Sequence, residues 1–128
     1  MFIIDEVKKK AKKTKGSVVL PESSDPRVLI AAAQIVKEDL AKIILLGKEE
    51  KISEDAKALN LDLNGVTIIN PETSEYLSAF ADAFYLRRKH KGVNPVQALE
   101  TVKDPLYFGA SLVKQGKVSG MVAGAANT

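Results

Sequence analysis

The sequence predicts an α/β protein: three layers, α/β/α, around a doubly wound and mostly parallel sheet. Three observations carry this. Four short apolar runs, Ser17–Leu20, Lys42–Leu46, Val66–Ile69 and Met121–Ala123, alternate with segments of helical spacing. The runs are continuous and rich in β-branched residues, as expected of parallel strands buried on both faces. Short polar turns separate them from the helices, so right-handed crossovers are the expected connections.

The elements follow in order. Phe2 to Lys13 has the spacing of a helix with Phe2, Ile3 and Val7 inward, and Gly16 ends it. Strand Ser17–Leu20 stops at Pro21. Asp25-Pro26 then starts a helix: Asp caps free N–H groups, and Pro fits a first turn where its missing N–H had no partner. Val28, Leu29, Ala32, Ile35 and Val36 follow at helical spacing. Strand Lys42–Leu46 ends at Gly47. Ser53 is the expected cap of a short helix through Ala56, Ala58 and Leu59. Strand Val66–Ile69 ends at Asn70-Pro71. A long helix is expected from about Ser74 to His90, carrying Tyr76, Leu77, Phe80, Ala83, Phe84 and Leu86, with Gly92 beyond it. Lys91 to Val93 is the expected hinge. Asn94-Pro95 opens a helix to about Val102. Asp104-Pro105 opens the last, with Leu106, Phe108, Leu112 and Val113 apolar and Gly116 as its stop.

Composition bounds the function. The 128 residues are 45% hydrophobic and 27% charged, in keeping with one folded domain and no disordered tract. Cysteine is absent, which removes disulfides, thiolate metal sites and a cysteine nucleophile. No apolar run approaches the roughly 20 residues of a membrane span. The acidic start, Asp5-Glu6, does not suit a signal peptide, so the expected compartment is the cytoplasm. The formal charge is +3, concentrated in Lys8, Lys9, Lys10, Lys12, Lys13 and Lys15. With no aromatic or polar base readers interleaved, this run is the solvated face of a helix rather than a nucleic-acid surface.

Two places could carry chemistry. Arg87-Arg88-Lys89-His90-Lys91-Gly92 closes the long helix, where cations suit the helix dipole. The same cluster could instead hold a multiply charged anion, since Arg offers a fork and Lys a point charge. The second place is Gly124-Ala125-Ala126-Asn127-Thr128, a turn of small residues directly after a strand. Such turns form anion sites at the carboxyl edge of doubly wound sheets. The Pro21–Pro26 turn lies on that same edge. Ser23 or Ser24 could touch a ligand there, although capping of the next helix is the simpler role. His90, the single histidine, has no partners at metal-ligand spacing. Neither nucleotide-binding glycine fingerprint nor a nucleophile elbow is present.

LPESSDPRVLIAA, RRKHKG and DPLYFGASLVKQGKVSGMVAGAANT together resemble the N-terminal part of the phosphate acetyl/butyryltransferase family, and of its acetyl branch through RKHKG. The resemblance spans the whole chain but only about the first two-fifths of such an enzyme. It implies that residues 1–128 form one α/β domain of isocitrate/isopropylmalate dehydrogenase-like type, an N-terminal fragment of a two-domain acyltransferase. It implies reversible transfer of acetyl between coenzyme A and inorganic phosphate, giving acetyl phosphate. The thiolate of coenzyme A attacks the acetyl carbonyl directly. No tightly bound cofactor is implied, only coenzyme A or acetyl-CoA as substrate. By the same resemblance, Arg88 binds coenzyme A, and Lys91 could share one of its phosphates. Gly124, Ala125, Asn127 and Thr128 line the phosphate pocket, with Asn127 standing where a small hydroxyl residue is more usual. The catalytic base and a second arginine are implied beyond Thr128. Alternatives are phosphate butyryltransferase and a non-catalytic phosphate- or nucleotide-binding domain. Neither nucleic acid nor membrane is an expected partner. Apolar surface left uncovered after Thr128 is expected to drive homo-oligomerisation.

Overall fold

The computed structural model describes residues 2–11 and 16–124. The chain forms α1 (Phe2–Ala11), β1 (Ser17–Leu20), α2 (Pro26–Lys37), β2 (Lys42–Leu46), α3 (Glu49–Ala58) and β3 (Thr67–Ile69). Then come α4 (Leu77–Arg88), a 3-10 turn (Lys89–Lys91), α5 (Pro95–Val102), α6 (Pro105–Lys114) and β4 (Gly120–Met121). The sheet is parallel throughout, in the order β3-β2-β1-β4.

Alternation along the strands divides the core into two layers. Val18, Leu20, Ile43 and Leu45 face α1, α2 and the Ile52 side of α3. Val19, Ile44 and Leu46 face α4, α5 and α6, where Phe80, Phe84, Phe108 and Leu112 meet them. Phe108 is fully buried, and its ring lies 5.1 Å from that of Phe80. Gly109 lets α6 approach the sheet: a Cβ there would stand 2.8 Å from Met121 Sδ.

The helix starts form as their sequences require. The Asp25 and Asp104 carboxylates accept from the amides two residues on. Asn94 and Gln97 form a reciprocal capping box.

Several expected boundaries and faces shift. Helix α3 begins at Glu49, so Ser53 lies inside it and caps nothing. The turn at Gly47 starts that helix at once, and Glu49 and Glu50 supply the negative charge its first turn favours. Val66 falls outside β3 because its amide is consumed by the Leu63 carbonyl in a turn. Strand β4 is Gly120–Met121 rather than Met121–Ala123, with Val122 still donating to the Val19 carbonyl. Beyond Leu20 its partner offers Pro21, which has no N–H to extend the ladder. The α4 region begins with a turn at Ser74, whose hydroxyl accepts from Tyr76 N, and the α-helix proper starts at Leu77. Phe2, Leu86 and Leu106 point outward, with Leu106 42% exposed. Leu106 lies two residues, about 200° of helix, from Phe108, so the two cannot share a face.

Candidate anion site at the carboxyl edge

In the order β3-β2-β1-β4 the chain leaves β1 for β2 on one side and returns to β4 on the other. The loops after β1 and β4 therefore leave the carboxyl edge side by side at a switch point, the kind of place where open α/β sheets bind ligands. Pro21 to Asp25 form one loop, and Val122 to Gly124 begin the other.

The β1 loop is held from both directions. Ser23 is buried, and its hydroxyl donates to the Leu46 carbonyl at 2.5 Å, tying this loop to the end of β2. That hydroxyl is occupied by structure, which removes Ser23 as a ligand contact; Ser24 is exposed. Asp25 caps α2 and also receives the Arg27 guanidinium at 2.8 Å. The Arg27 hydrogen bond, chiefly, holds the Asp25 carboxyl below the ordinary aspartate range. The same hydrogen bond raises Arg27, with a further contribution from the charge of Glu22.

Glu22 links the two loops. Its carboxylate accepts from the Gly124 amide at 2.6 Å. Gly124 has φ +93°, a left-handed conformation that glycine adopts without strain, and open space lies where a Cβ would stand. The first donor of the small-residue turn thus already faces a carboxylate. Ala125, Asn127 and Thr128 lie outside the described residues.

A cleft of about 210 Å³ adjoins this edge, walled by Ser24, Gly47, Lys48, Lys51 and Pro105 among others. Lys51 is partly neutralised by Asp55 at 2.8 Å. A larger groove, about 820 Å³, lies elsewhere, between α2 and the segment after α3. Lys37, Glu38, Asn60 and Asp62 line it, at the C-terminal ends of those helices, where carbonyls rather than amides are presented. It is the larger of the two, and Glu38 and Asp62 add negative charge to the carbonyls presented there.

Arg88 and Lys91 are both exposed. The α-helix ends at Arg88, and Lys91 closes the 3-10 turn before left-handed Gly92. No described ion pair includes either side chain. Adjacent helical positions diverge by about 100°, which predicts separate surroundings for Arg87 and Arg88. Instead both guanidinium groups reach the same Phe84 ring, at 5.8 and 5.4 Å from its centre. Long side chains override the divergence of their Cα–Cβ bonds. Phe84 meets Tyr107 edge-on at 5.8 Å, and Tyr107 lies in the first turn of α6, whose Pro105 walls the cleft. The arginine pair is thereby joined to the carboxyl edge through two aromatic rings. His90 is exposed in the 3-10 turn. Among the described residues no three His, Asp or Glu side chains gather as a metal site.

Sequence reasoning placed the β1 turn at the right edge but missed Glu22 and the Phe84 seat. Glu22 directly after Pro21 at a strand end was the available signal. Phe84 had none beyond its helical spacing.

Comparison with known proteins gives the family and agrees with the fold. The profile of the family described as phosphate acetyl/butaryl transferase matches residues 2–128. The chain is 44% identical over its whole length to a phosphate acetyltransferase of Clostridium acetobutylicum, and covers 38% of that protein. It is 43% identical to the phosphate acetyltransferase of Acetivibrio thermocellus, again over 100% of this chain and 38% of that one. Among solved structures, EutD phosphotransacetylase from Staphylococcus aureus superposes with a TM-score of 0.82 at 38% identity, covering 98% of this chain and 39% of that one. A phosphotransacetylase from Streptococcus pyogenes gives 0.83 at 32% identity, covering 99% and 38%. The chain thus spans about two-fifths of the length of these relatives.

Proposed function

The chain belongs to the phosphate acetyl/butaryl transferase family, and from that premise we propose that it supplies the N-terminal part of a two-domain phosphate acetyltransferase. The reaction is acetyl-CoA plus phosphate giving acetyl phosphate plus coenzyme A, and its reverse. A phosphate oxygen attacks the thioester carbonyl, the C–S bond breaks, and the thiolate leaves and is protonated. The observation that carries the reading is identity of 43–44%, over the whole of this chain and 38% of each relative, to proteins named phosphate acetyltransferase. The parallel sheet in the order β3-β2-β1-β4 supports it independently.

In this reading the domain orients anions. Arg88, seated on Phe84 with its fork in solvent, receives a phosphate of coenzyme A, and Lys91 adds a mobile charge. Gly124, Ala125, Asn127 and Thr128 are the residues assigned to inorganic phosphate. No described residue is assigned to proton transfer. Orientation alone can supply several kcal/mol of a bimolecular barrier, up to roughly 10.

The test is steady-state kinetics on the full-length enzyme. Arg88→Ala should raise KM for coenzyme A by about tenfold, with a smaller effect on acetyl phosphate. Arg88→Lys should recover part of the loss, because a point charge cannot replace the fork. Arg87→Ala should matter less. Equal, small effects from both alanine variants would end the coenzyme A assignment.

A further inference from the structure

Phe84 is buried in the layer that α4 forms with α5 and α6, yet both guanidinium groups at the end of α4 come back to its ring. The spacing explains why. Arg87 and Arg88 stand three and four residues on, the two positions that neighbour Phe84 on the helix surface, and helical side chains lean toward the N-terminus. The two arginines differ in what they offer to solvent. Arg87 is half-buried, whereas Arg88 is exposed with its guanidinium 5.4 Å from the ring centre. Neither enters a described ion pair. The ring itself is held by its burial and by Tyr107, which meets it edge-on at 5.8 Å.

We propose that Phe84 is a positioning residue for Arg88: its ring holds the guanidinium where coenzyme A meets it. The inference rests on the reading of Arg88 as a binder of a coenzyme A phosphate, and it adds the residue that prepares that arginine. A long exposed side chain samples many rotamers, and binding must stop that motion. A guanidinium already drawn to a fixed ring has less freedom to lose. A carboxylate partner would also hold Arg88, but it would neutralise the charge and occupy the fork. An aromatic ring holds the cation without supplying an anion, so the charge and the donors remain for phosphate.

Phe84→Leu removes the ring and keeps an apolar side chain. In the full-length enzyme it should raise KM for coenzyme A by about threefold, with kcat and KM for acetyl phosphate held. Phe84→Met, unbranched and adaptable in a core, is the second ring-free variant and should do the same. Phe84→Tyr keeps the ring and should stay near wild type. The decisive arm is the Arg88→Ala background, in which Phe84→Leu should add nothing to KM for coenzyme A. A rise of the same size with and without Arg88 would mean that Phe84 acts by packing alone, and would overturn the proposal. Wild-type KM in both ring-free variants, beside a raised KM in Arg88→Ala, would also overturn it and leave the assignment of Arg88 standing. An unchanged KM in Arg88→Ala would remove the coenzyme A reading, and the role of Phe84 with it.

Discussion

Ser23 and Gly47 form a pair whose coupling can be worked out from the coordinates. The Ser23 hydroxyl donates to the Leu46 carbonyl from a buried position. Ser23→Ala deletes that bond and should cost about 1.5 kcal/mol, within the usual range for a buried acceptor losing its partner. With a urea m-value of about 1.5 kcal/mol/M for a domain of this size, the unfolding midpoint should fall by about 1 M. Gly47 has φ +149°, and a Cβ there would stand 2.8 Å from Ser23 Oγ and 3.2 Å from Ile52 Cδ1. Gly47→Ala therefore carries backbone strain of about 1–2 kcal/mol and a collision in addition. In the double variant the oxygen that Cβ would strike is already gone. The double variant should then lose less than the sum of the singles, by about 0.5–1 kcal/mol. Urea denaturation of all four proteins measures this directly. Midpoints that add to within about 0.3 kcal/mol, or a Ser23→Ala midpoint equal to wild type, would refute the bond between the two loops.

The pH dependence of stability should include a contribution from Asp25. Its pKa is depressed in the folded state by the Arg27 hydrogen bond, so its stabilisation is full above the ordinary aspartate pKa of about 4 and is lost as pH falls through the lower folded value. Denaturant midpoints of wild type should fall more steeply than those of Asp25→Asn as pH drops below about 4, and parallel curves would exclude the effect. Gly109→Ala should be nearly neutral, because the atom it meets, Met121 Sδ, belongs to a flexible side chain and the helix gains about 1 kcal/mol of propensity. Gly109→Leu would also drive into Leu46 and Val19, and should lower the melting temperature by roughly 10 °C; equal melting temperatures for the two variants would show that α6 does not lie this close to the sheet.

The fold was legible where a residue has one backbone consequence. Asp25-Pro26, Asn94-Pro95 and Asp104-Pro105 each opened a helix at the expected position, because cap and proline act within a few residues. Continuous apolar runs marked the strands, because burial on both faces leaves no polar alternation. Several of the errors depended on a partner that the local pattern does not reveal. Strand β4 is shorter than its apolar run because β1 ends in Pro21. Ser23 was open to a ligand reading until Leu46 was placed beside it. Arg87 and Arg88 were separated by helical angle, and it took the buried ring of Phe84 to draw them together. That the turn after β1 and the end of β4 share the carboxyl edge was readable. The hydrogen bond between Glu22 and Gly124 was not, because the two are 102 residues apart.

That separation bears on how the domain assembles. β1 pairs with β2 across a single crossover, Ser17 opposite Lys42, but it pairs with β4 across 102 residues, as Ser17 N to Ser119 Oγ also shows. Loop closure becomes costlier by only about 0.6 kcal/mol per doubling of length, so equilibrium stability hardly registers the difference. Rates do, since long-range pairings must wait until the intervening chain is ordered. The β1–β4 seam should thus close after α2 to α6 have collapsed onto the rest of the sheet. Pulse-labelled hydrogen exchange that found Val122 protected as early as Ile44 would contradict this order. The Glu22–Gly124 contact exists only once that seam has closed, so it is a property of the finished domain and of no earlier stage.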